Sequence, residues 1–300
     1  MQIKSAIGRW VFLLVLAAPL AAQAAADGPP HFTRTEDVIY ARKFGVALTL
    51  DVFKPDKPNG RGIVCIISGG WFSSHAAITP LFFNPMLEHG YTVFTVVHGS
   101  QPKFTIPEIQ QDLHRSVRFI RHNAKKFEID PDDIGVYGAS AGGHLTLTLA
   151  TEGGPGQPNA PDPIDRESSA VQAAVAFFPP TDFLNFGVPG HDVVGVNTLK
   201  QFRPAFGLGT EDPEVRQKLG KQISPADHVH PGMCPILLIH GDADKLVPIQ
   251  QSQLFMEKCN EVKTPVQLIT RPGKGHGWLD IGTDLKQVAD WFDKNLPAAK

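Results

Sequence analysis

The chain has 300 residues, of which 42% are hydrophobic and 19% are charged, and its formal net charge is −2. This composition excludes a disordered or fibrous protein. The 28 basic residues are balanced by 30 acidic ones and form no basic tract, which argues against nucleic-acid binding through phosphate contacts. The length allows one large α/β domain or two smaller domains.

Residues 1–26 have the layout of a secretory signal peptide. Lys4 and Arg9 precede an apolar run of about a dozen residues, and Ala22-Gln23-Ala24 fits an A-x-A cleavage site. The alternative is a membrane anchor, but the run is shorter than the roughly 20 residues that a spanning helix needs. We therefore expect cleavage, no stable membrane anchor, and a periplasmic or secreted mature protein.

Three cysteines are too few for a disulfide scaffold. Export would nevertheless place them where disulfides can form. Cys65 lies in a predicted core strand and is expected to be a buried thiol, whereas Cys234 and Cys259 either pair or remain free.

Strand-like apolar runs alternate with helical patterns, with no internal repeat, which predicts a single α/β domain over residues 27–300. The predicted strands are Val46–Phe53, Ile63–Ile67, Tyr91–Val97, Ile134–Tyr137, Val171–Phe178, Pro235–Ile239 and Val266–Thr270. The predicted helices are one with the apolar face Ile106, Ile109, Leu113, Val117 and Ile120, then Gly143–Ala150, Gln250–Glu261 and Asp284–Leu296. This alternation predicts a doubly wound, mostly parallel sheet of about eight strands, with the first two strands as an antiparallel edge.

Two stretches interrupt the alternation. Residues 152–169 are rich in Gly and Pro and predict a surface loop, whose Asp162 and Asp165 are either solvated or bind a cation. Residues 181–229 predict a cap-like insertion after a strand. Its aromatic residues either line a substrate pocket or seal the insertion onto the core; they are Phe183, Phe186, Phe202 and Phe206.

A GxSxG sequence, Gly138-Ala139-Ser140-Ala141-Gly142, lies between a predicted strand and a predicted helix. A serine on such a turn adopts a strained backbone conformation, which requires small neighbours and lifts the hydroxyl above the sheet. The following helix directs its N-terminus at the site and favours developing negative charge. The pattern predicts a nucleophilic serine.

A serine hydroxyl needs a base, and the base needs a carboxylate to orient it. His276 lies in a glycine-rich loop after the last predicted strand, and Asp242 and Asp244 directly follow the strand Pro235–Ile239. The order Ser, Asp, His is the chain order found in α/β hydrolases. From position alone, either aspartate could orient His276.

The negative oxygen of a tetrahedral intermediate needs hydrogen-bond donors. Ser68-Gly69-Gly70-Trp71 follows a predicted strand, and the glycines would let backbone N–H groups approach a substrate. We predict an oxyanion hole formed by the N–H groups of Gly70, Trp71 and Ala141. The alternative is an ordinary Gly-Gly turn. No cluster of Cys, His and carboxylates has metal-ligand spacing, so neither a metal nor a cofactor is expected.

From about Asp37 onward the chain resembles the α/β-hydrolase serine esterases, in particular secreted carboxylesterases near the hormone-sensitive-lipase-like and the acetyl-xylan and feruloyl esterases. The resemblance rests on Ser68-Gly69-Gly70-Trp71, Ile129-Asp130-Pro131, Gly138-Ala139-Ser140-Ala141-Gly142-Gly143-His144-Leu145, Pro180-Thr181-Asp182, His240-Gly241-Asp242-Ala243-Asp244 with Val247-Pro248, and Gly275-His276-Gly277. It implies that Ser140 is the nucleophile, His276 the base and Asp244 the orienting acid. The family usually has a histidine before the two glycines, where this chain has Ser68, so the support of that loop must differ.

These observations favour a secreted serine ester hydrolase that forms an acyl-enzyme on small-molecule or oligosaccharide esters, with short-chain acyl or carbohydrate-linked esters as substrates. The first alternative is a serine peptidase similar to the catalytic domain of prolyl oligopeptidases, although such enzymes usually carry a large additional domain. The second alternative is a non-catalytic binding protein with a hydrolase fold, but such proteins commonly lack a catalytic residue that this chain retains.

Overall fold

The structure is a computed structural model that describes residues 31–297. The predicted signal peptide and its cleavage site lie outside the described residues. Among the helices of the described part, none combines the length and the hydrophobicity needed to cross a lipid bilayer.

The centre of the molecule is a twisted sheet. The described strands are β1 (Phe32–Lys43), β2 (Val46–Pro55), β3 (Gly62–Ile67), β4 (Thr92–Val97), β5 (Ile134–Ala139), β6 (Ala173–Phe177), β7 (Ile236–Gly241) and β8 (Val266–Arg271). They form one eight-stranded sheet in the order β1-β2-β4-β3-β5-β6-β7-β8. β2 pairs antiparallel with β1 and with β4, and all other pairs are parallel. The prediction of a mostly parallel sheet of about eight strands is confirmed.

The antiparallel edge differs from the prediction in one respect. Its outer strand is β1, for which no strand was predicted, while Ile63–Ile67 lies inside the parallel part of the sheet. In β1 most side chains are exposed and only Tyr40 is buried. An edge strand with this much solvent contact needs no apolar run, so the hydrophobic pattern does not reveal it.

Helices cover both faces of the sheet. They are α1 (Asn84–Glu88), α2 (Ile106–His122), α3 (Ala124–Phe127), α4 (Ala141–Glu152), α5 (Arg203–Phe206), α6 (Pro213–Ile223), α7 (Gln250–Glu261) and α8 (Gly282–Asn295). The apolar face predicted for α2 is fully buried. α2, α4 and α7 contribute to one hydrophobic cluster, and α1 and α8 contribute to a second cluster on the opposite face.

Both stretches that interrupt the alternation pack onto this framework. In the loop 152–169, Asp162 and Asp165 form ion pairs with Arg115 of α2, at 2.6 and 2.7 Å. In the segment between β6 and β7, Phe183, Phe186 and Phe206 are at most 2% exposed and belong to the main core cluster. These three rings therefore seal the segment onto the core.

Parallel strands place the segments that follow them at one edge of the sheet. The residues after β3, β5, β7 and β8 therefore meet at the carboxyl edge. These are the segments that carry Ser68-Gly69-Gly70-Trp71, Ser140, Asp244 and His276.

Candidate active site

Ser140 lies on a tight turn between β5 and α4. Its backbone has φ 56° and ψ −120°, a conformation that costs free energy for any residue with a side chain. The turn is held by hydrogen bonds from Ser140 N to Phe177 O (2.9 Å) and from His144 N to Ser140 O (2.9 Å). A side chain at Gly138 would approach the Gly142 carbonyl oxygen to 2.6 Å. The small residues of the GxSxG sequence thus permit a close approach of strand and helix.

Ser140, His276 and Asp244 form a continuous chain of hydrogen bonds. Ser140 Oγ lies 2.8 Å from His276 Nε2, and His276 Nδ1 lies 2.7 Å from Asp244 Oδ2. Because a carboxylate can only accept, Nδ1 carries the imidazole proton and Nε2 is free to accept the proton of the serine hydroxyl. The arrangement couples a hydroxyl to a base and the base to a buried acid.

The side chain of Asp242 has a different partner from that of Asp244, although the two residues are only two positions apart. Its Oδ1 accepts the Gly273 N–H at 2.6 Å and thereby ties the loop after β7 to the loop after β8. The structure therefore distinguishes the two aspartates, either of which could orient His276 judging by position alone. Asp244 contacts His276, and Asp242 stabilises the loop.

The environment of Asp244 keeps its carboxylate charged. Burial acts to raise the pKa of Asp244, but hydrogen bonds from two neighbouring imidazoles and a backbone N–H outweigh it and hold the pKa well below its usual range. Oδ1 accepts the N–H groups of Leu246 (2.9 Å) and Val247 (3.0 Å), while Oδ2 faces His276 and lies 3.5 Å from His240 Nε2. The contact with His240 was not anticipated from the sequence.

The loop after β3 turns sharply at Gly70 and Trp71. Both residues have positive φ, 55° and 60°, and the flanking Gly69 and Phe72 exchange two backbone hydrogen bonds (2.9 and 3.0 Å). Positive φ at both central residues is the geometry of a type I′ turn. Gln101 donates to both central carbonyls, at 2.5 Å from its side chain and 3.3 Å from its backbone.

This turn adjoins the start of α4. A side chain at Gly142 would lie 3.0 Å from the Ile66 carbonyl oxygen and 3.5 Å from the Ser68 carbonyl oxygen. The N–H groups of Gly70 and Trp71 have no acceptor among residues 31–297, and the N–H of Ala141 belongs to the first helical turn, which has no intrahelical acceptor. All three predicted donors are therefore grouped at this edge of the sheet.

The side chain of Trp71 is anchored in the core. It is 1% exposed, and its Nε1 donates to Nδ1 of His144 at 3.1 Å. His144 Nε2 lies 2.7 Å from the Ile223 carbonyl oxygen, to which it donates. Burial lowers the pKa of His144 to about 4, against the opposing effect of the Ile223 hydrogen bond, so the ring is neutral near pH 7. This role of His144 was not predicted from the sequence.

Two groups of three possible metal ligands occur among the described residues. One is Asp37, Asp51 and His75, but the Asp51 carboxylate already accepts hydrogen bonds from Arg34, at 2.6 and 3.0 Å. The other group is exposed and consists of His89, Asp290 and Asp293. Neither group includes a residue of the Ser140 site. All three cysteines are free thiols, so Cys234 and Cys259 do not pair in this structure.

Known proteins resemble this chain in sequence and in fold. It is 26% identical to the probable carboxylic ester hydrolase LipM of Mycobacterium tuberculosis over 258 residues, which cover 82% of this chain and 57% of that protein. It is also 26% identical to the acetylxylan esterase of Xylanibacter ruminicola over 280 residues, which cover 87% of this chain and 52% of that protein. The chain thus spans little more than half the length of these two curated relatives.

Among solved structures, a truncated form of a carbohydrate esterase from gut microbiota superimposes with a TM-score of 0.76 at 25% identity, covering 91% of this chain and 99% of that one. Esterase 2 of Thermogutta terrifontis, in its apo form, superimposes with a TM-score of 0.65 at 22% identity, covering 90% and 97%. The eight-stranded sheet and its helices share the α/β-hydrolase fold of these structures. Residues 50–259 match the BD-FAE family, and the chain belongs to that family.

Proposed function

We propose that the protein is a carboxylic ester hydrolase in which Ser140 is the nucleophile. The observation that carries the proposal is the chain of hydrogen bonds from Ser140 Oγ through His276 to Asp244, at 2.8 and 2.7 Å. The names of the relatives, a carboxylic ester hydrolase and an acetylxylan esterase, support the same activity.

The reaction proceeds in two halves. Ser140 Oγ attacks the ester carbonyl carbon while His276 Nε2 takes the hydroxyl proton, and the C–O bond to the alcohol breaks as His276 returns that proton to the leaving oxygen. Water then attacks the acyl-enzyme ester, with His276 again as the base, and the free acid leaves. Asp244 fixes the tautomer of His276 and stabilises its cation.

The negative oxygen of each tetrahedral intermediate accepts hydrogen bonds from the N–H groups of Gly70, Trp71 and Ala141. These donors are set by the positive φ of the turn and by the first turn of α4, so they need no rearrangement during the reaction. One such donor can contribute about 10²–10³-fold in turnover.

Hydrolysis of p-nitrophenyl acetate and butanoate by the purified protein tests this function. We expect Ser140→Ala to lose at least about 10⁴-fold in turnover, whereas Ser168→Ala, in the loop 152–169, leaves the rate unchanged. A phosphonate ester should label the parent protein once per chain and should not label Ser140→Ala. Equal hydrolysis by Ser140→Ala would refute the assignment, and cleavage of proline-containing peptides without ester cleavage would indicate a peptidase.

We also propose that the substrates are small-molecule or carbohydrate-linked esters and that residues 1–26 direct export and are then removed. The charge pattern and the apolar run of residues 1–26 support export. The mass of the protein recovered from the periplasm or medium tests it: loss of the first 26 residues, or a neighbouring cleavage, is expected. Cytoplasmic protein of full length would contradict it.

A further inference from the structure

A cavity of about 280 Å³ opens beside Ser140, between the carboxyl edge of the sheet and the N-terminal part of α8. Its walls come from the ends of β3 and β5, from the segment 77–82, and from Ile281 and Leu285. Most of its buried apolar side chains belong to the hydrophobic cluster of α1 and α8, on the face of the sheet opposite α4; they are Cys65, Tyr137, Phe177, Ile281 and Leu285.

The lining of the cavity is almost entirely apolar and carries no charge. The hydroxyl of Tyr137 donates a hydrogen bond to the Phe82 carbonyl oxygen at 2.9 Å. Burial raises the pKa of the Cys65 thiol to about 12, although its hydrogen bond with Tyr137 acts in the opposite direction, so this group stays neutral. Ser68 Oγ is buried without a hydrogen-bond partner among the described residues. A sugar, with hydroxyls on every side, would leave most of its hydrogen bonds unmade here.

The cavity is lined by residues that stand next in the chain to the groups proposed to act on the ester. Ala139, which precedes Ser140, lines it, as does Gly69, which precedes Gly70. Phe177, whose carbonyl oxygen accepts the Ser140 N–H, forms another part of the wall. A group attached to the carbonyl carbon under attack by Ser140 therefore lies next to this space.

The lining also indicates which half of the ester enters. The leaving alcohol must lie against His276 Nε2, because that nitrogen protonates it. None of the described residues from 240 to 280 lines the cavity. The cavity therefore lies on the side away from the leaving group, where the acyl substituent of the tetrahedral intermediate points.

Resting on the proposed function, we propose that this cavity binds the acyl group of the substrate and accepts apolar acyl chains of about four to eight carbon atoms. A water molecule takes about 30 Å³ in the liquid, so 280 Å³ corresponds to about nine groups of that size. Acetyl would leave most of the space unfilled, and a dodecanoyl chain would exceed it.

The test is a series of p-nitrophenyl esters from acetate to dodecanoate, with kcat/KM measured for each. A buried methylene group contributes enough free energy for roughly a fourfold gain. We therefore expect kcat/KM to rise by at least tenfold from acetate to hexanoate and to fall at dodecanoate. A maximum at acetate, or a maximum at dodecanoate, would overturn the proposal.

Two variants that change the volume of the cavity in opposite directions test whether this cavity sets the dependence of kcat/KM on acyl chain length. Leu285→Phe narrows it and should lower the ratio of hexanoate to acetate kcat/KM by at least tenfold, whereas Phe82→Ala widens it and should move the maximum to longer chains. Leu208→Phe is the matched control, because Leu208 is 99% exposed and lies outside the lining. Ratios within one variant cancel a uniform loss of folded protein.

The same variants separate this inference from the proposed function. If Ser140→Ala abolishes hydrolysis but Leu285→Phe leaves the ratio unchanged, the esterase stands and the acyl-binding cavity is wrong. If Leu285→Phe alters the rates for acetate esters of longer alcohols instead of the acyl series, the cavity binds the leaving group and the proposal fails. If Ser140→Ala retains activity, the proposed function itself fails.

Discussion

Trp71 Nε1 donates a hydrogen bond to His144 Nδ1 across 3.1 Å. The two residues lie on different segments, the turn after β3 and the first turns of α4, and both are buried. Phe202 and Phe206 pack edge-on against the Trp71 ring, at centroid distances of 5.9 and 5.4 Å. The contact thus fixes the turn that presents two of the three proposed oxyanion donors relative to the helix that presents the third.

Trp71→Phe keeps an aromatic ring in the cluster and removes the indole N–H. A neutral hydrogen bond contributes about 1 kcal/mol, so we expect kcat for p-nitrophenyl butanoate to fall about fivefold to tenfold with little change in KM. Trp291→Phe is the matched control, since Trp291 Nε1 has no partner among the described residues. An unchanged kcat in Trp71→Phe would show that His144 does not position the turn through the indole.

The two aspartates after β7 allow a matched comparison. Asp244→Asn removes the carboxylate that accepts from His276 Nδ1, so the imidazole loses its orientation and the stabilisation of its cation; we expect turnover to fall about 10⁴-fold. Asp242→Asn retains an oxygen that can accept the Gly273 N–H. Because only the strength of one loop hydrogen bond changes, turnover should stay within about threefold of the parent value. A larger loss in Asp242→Asn than in Asp244→Asn would reverse the assignment of the acid.

Much of this site could be predicted from the chain because its residues follow buried strands. Parallel strands bring the segments after them to one edge, so Ser140 and His276 could be placed together from the pattern alone, while the choice of Asp244 over Asp242 rested on a family resemblance. The bond from Trp71 to His144 could not be predicted, because it depends on how two side chains 73 residues apart point in the folded protein. The strand β1 escaped prediction because most of its side chains face solvent.

Gly70 and Gly45 share a positive φ but differ in what surrounds them. Gly70 has φ 55° and a side chain there would collide with the ring of Phe202, whereas Gly45 has φ 77° in the turn between β1 and β2 with no atom within 4 Å. Alanine at either position costs about 1 kcal/mol in stability from backbone strain. Only Gly70→Ala should also displace the turn, and we expect it to lower kcat/KM at least tenfold. Equal activities of the two variants, at equal folded fraction, would exclude a catalytic role for the turn.

Three histidines should make the stability depend on pH. Burial lowers the pKa of His98, His114 and His144 to about 4 each, below the ordinary value of 6.5. Between pH 7 and 5.5 the unfolded chain therefore binds protons at these rings while the native protein does not, so stability falls as the pH falls. Each ring should contribute a loss of about 1 kcal/mol in the free energy of unfolding over this interval.

Guanidinium unfolding at pH 7 and pH 5.5, at equal ionic strength, measures this loss. The interval lies above the ordinary carboxyl pKa values, and the depressed pKa of Asp244 keeps that group ionised in both states throughout it. Burial raises the pKa of Asp112 and of Glu152, which acts in the opposite direction, but this effect is common to the parent protein and to a histidine variant. His114→Gln, on the half-buried side of α2, should remove about a third of the pH effect, because one of three similar contributions disappears. A free energy of unfolding that stays constant or increases on acidification to pH 5.5 would mean that these rings accept protons in the native protein, and His144 could then not remain the neutral acceptor for Trp71.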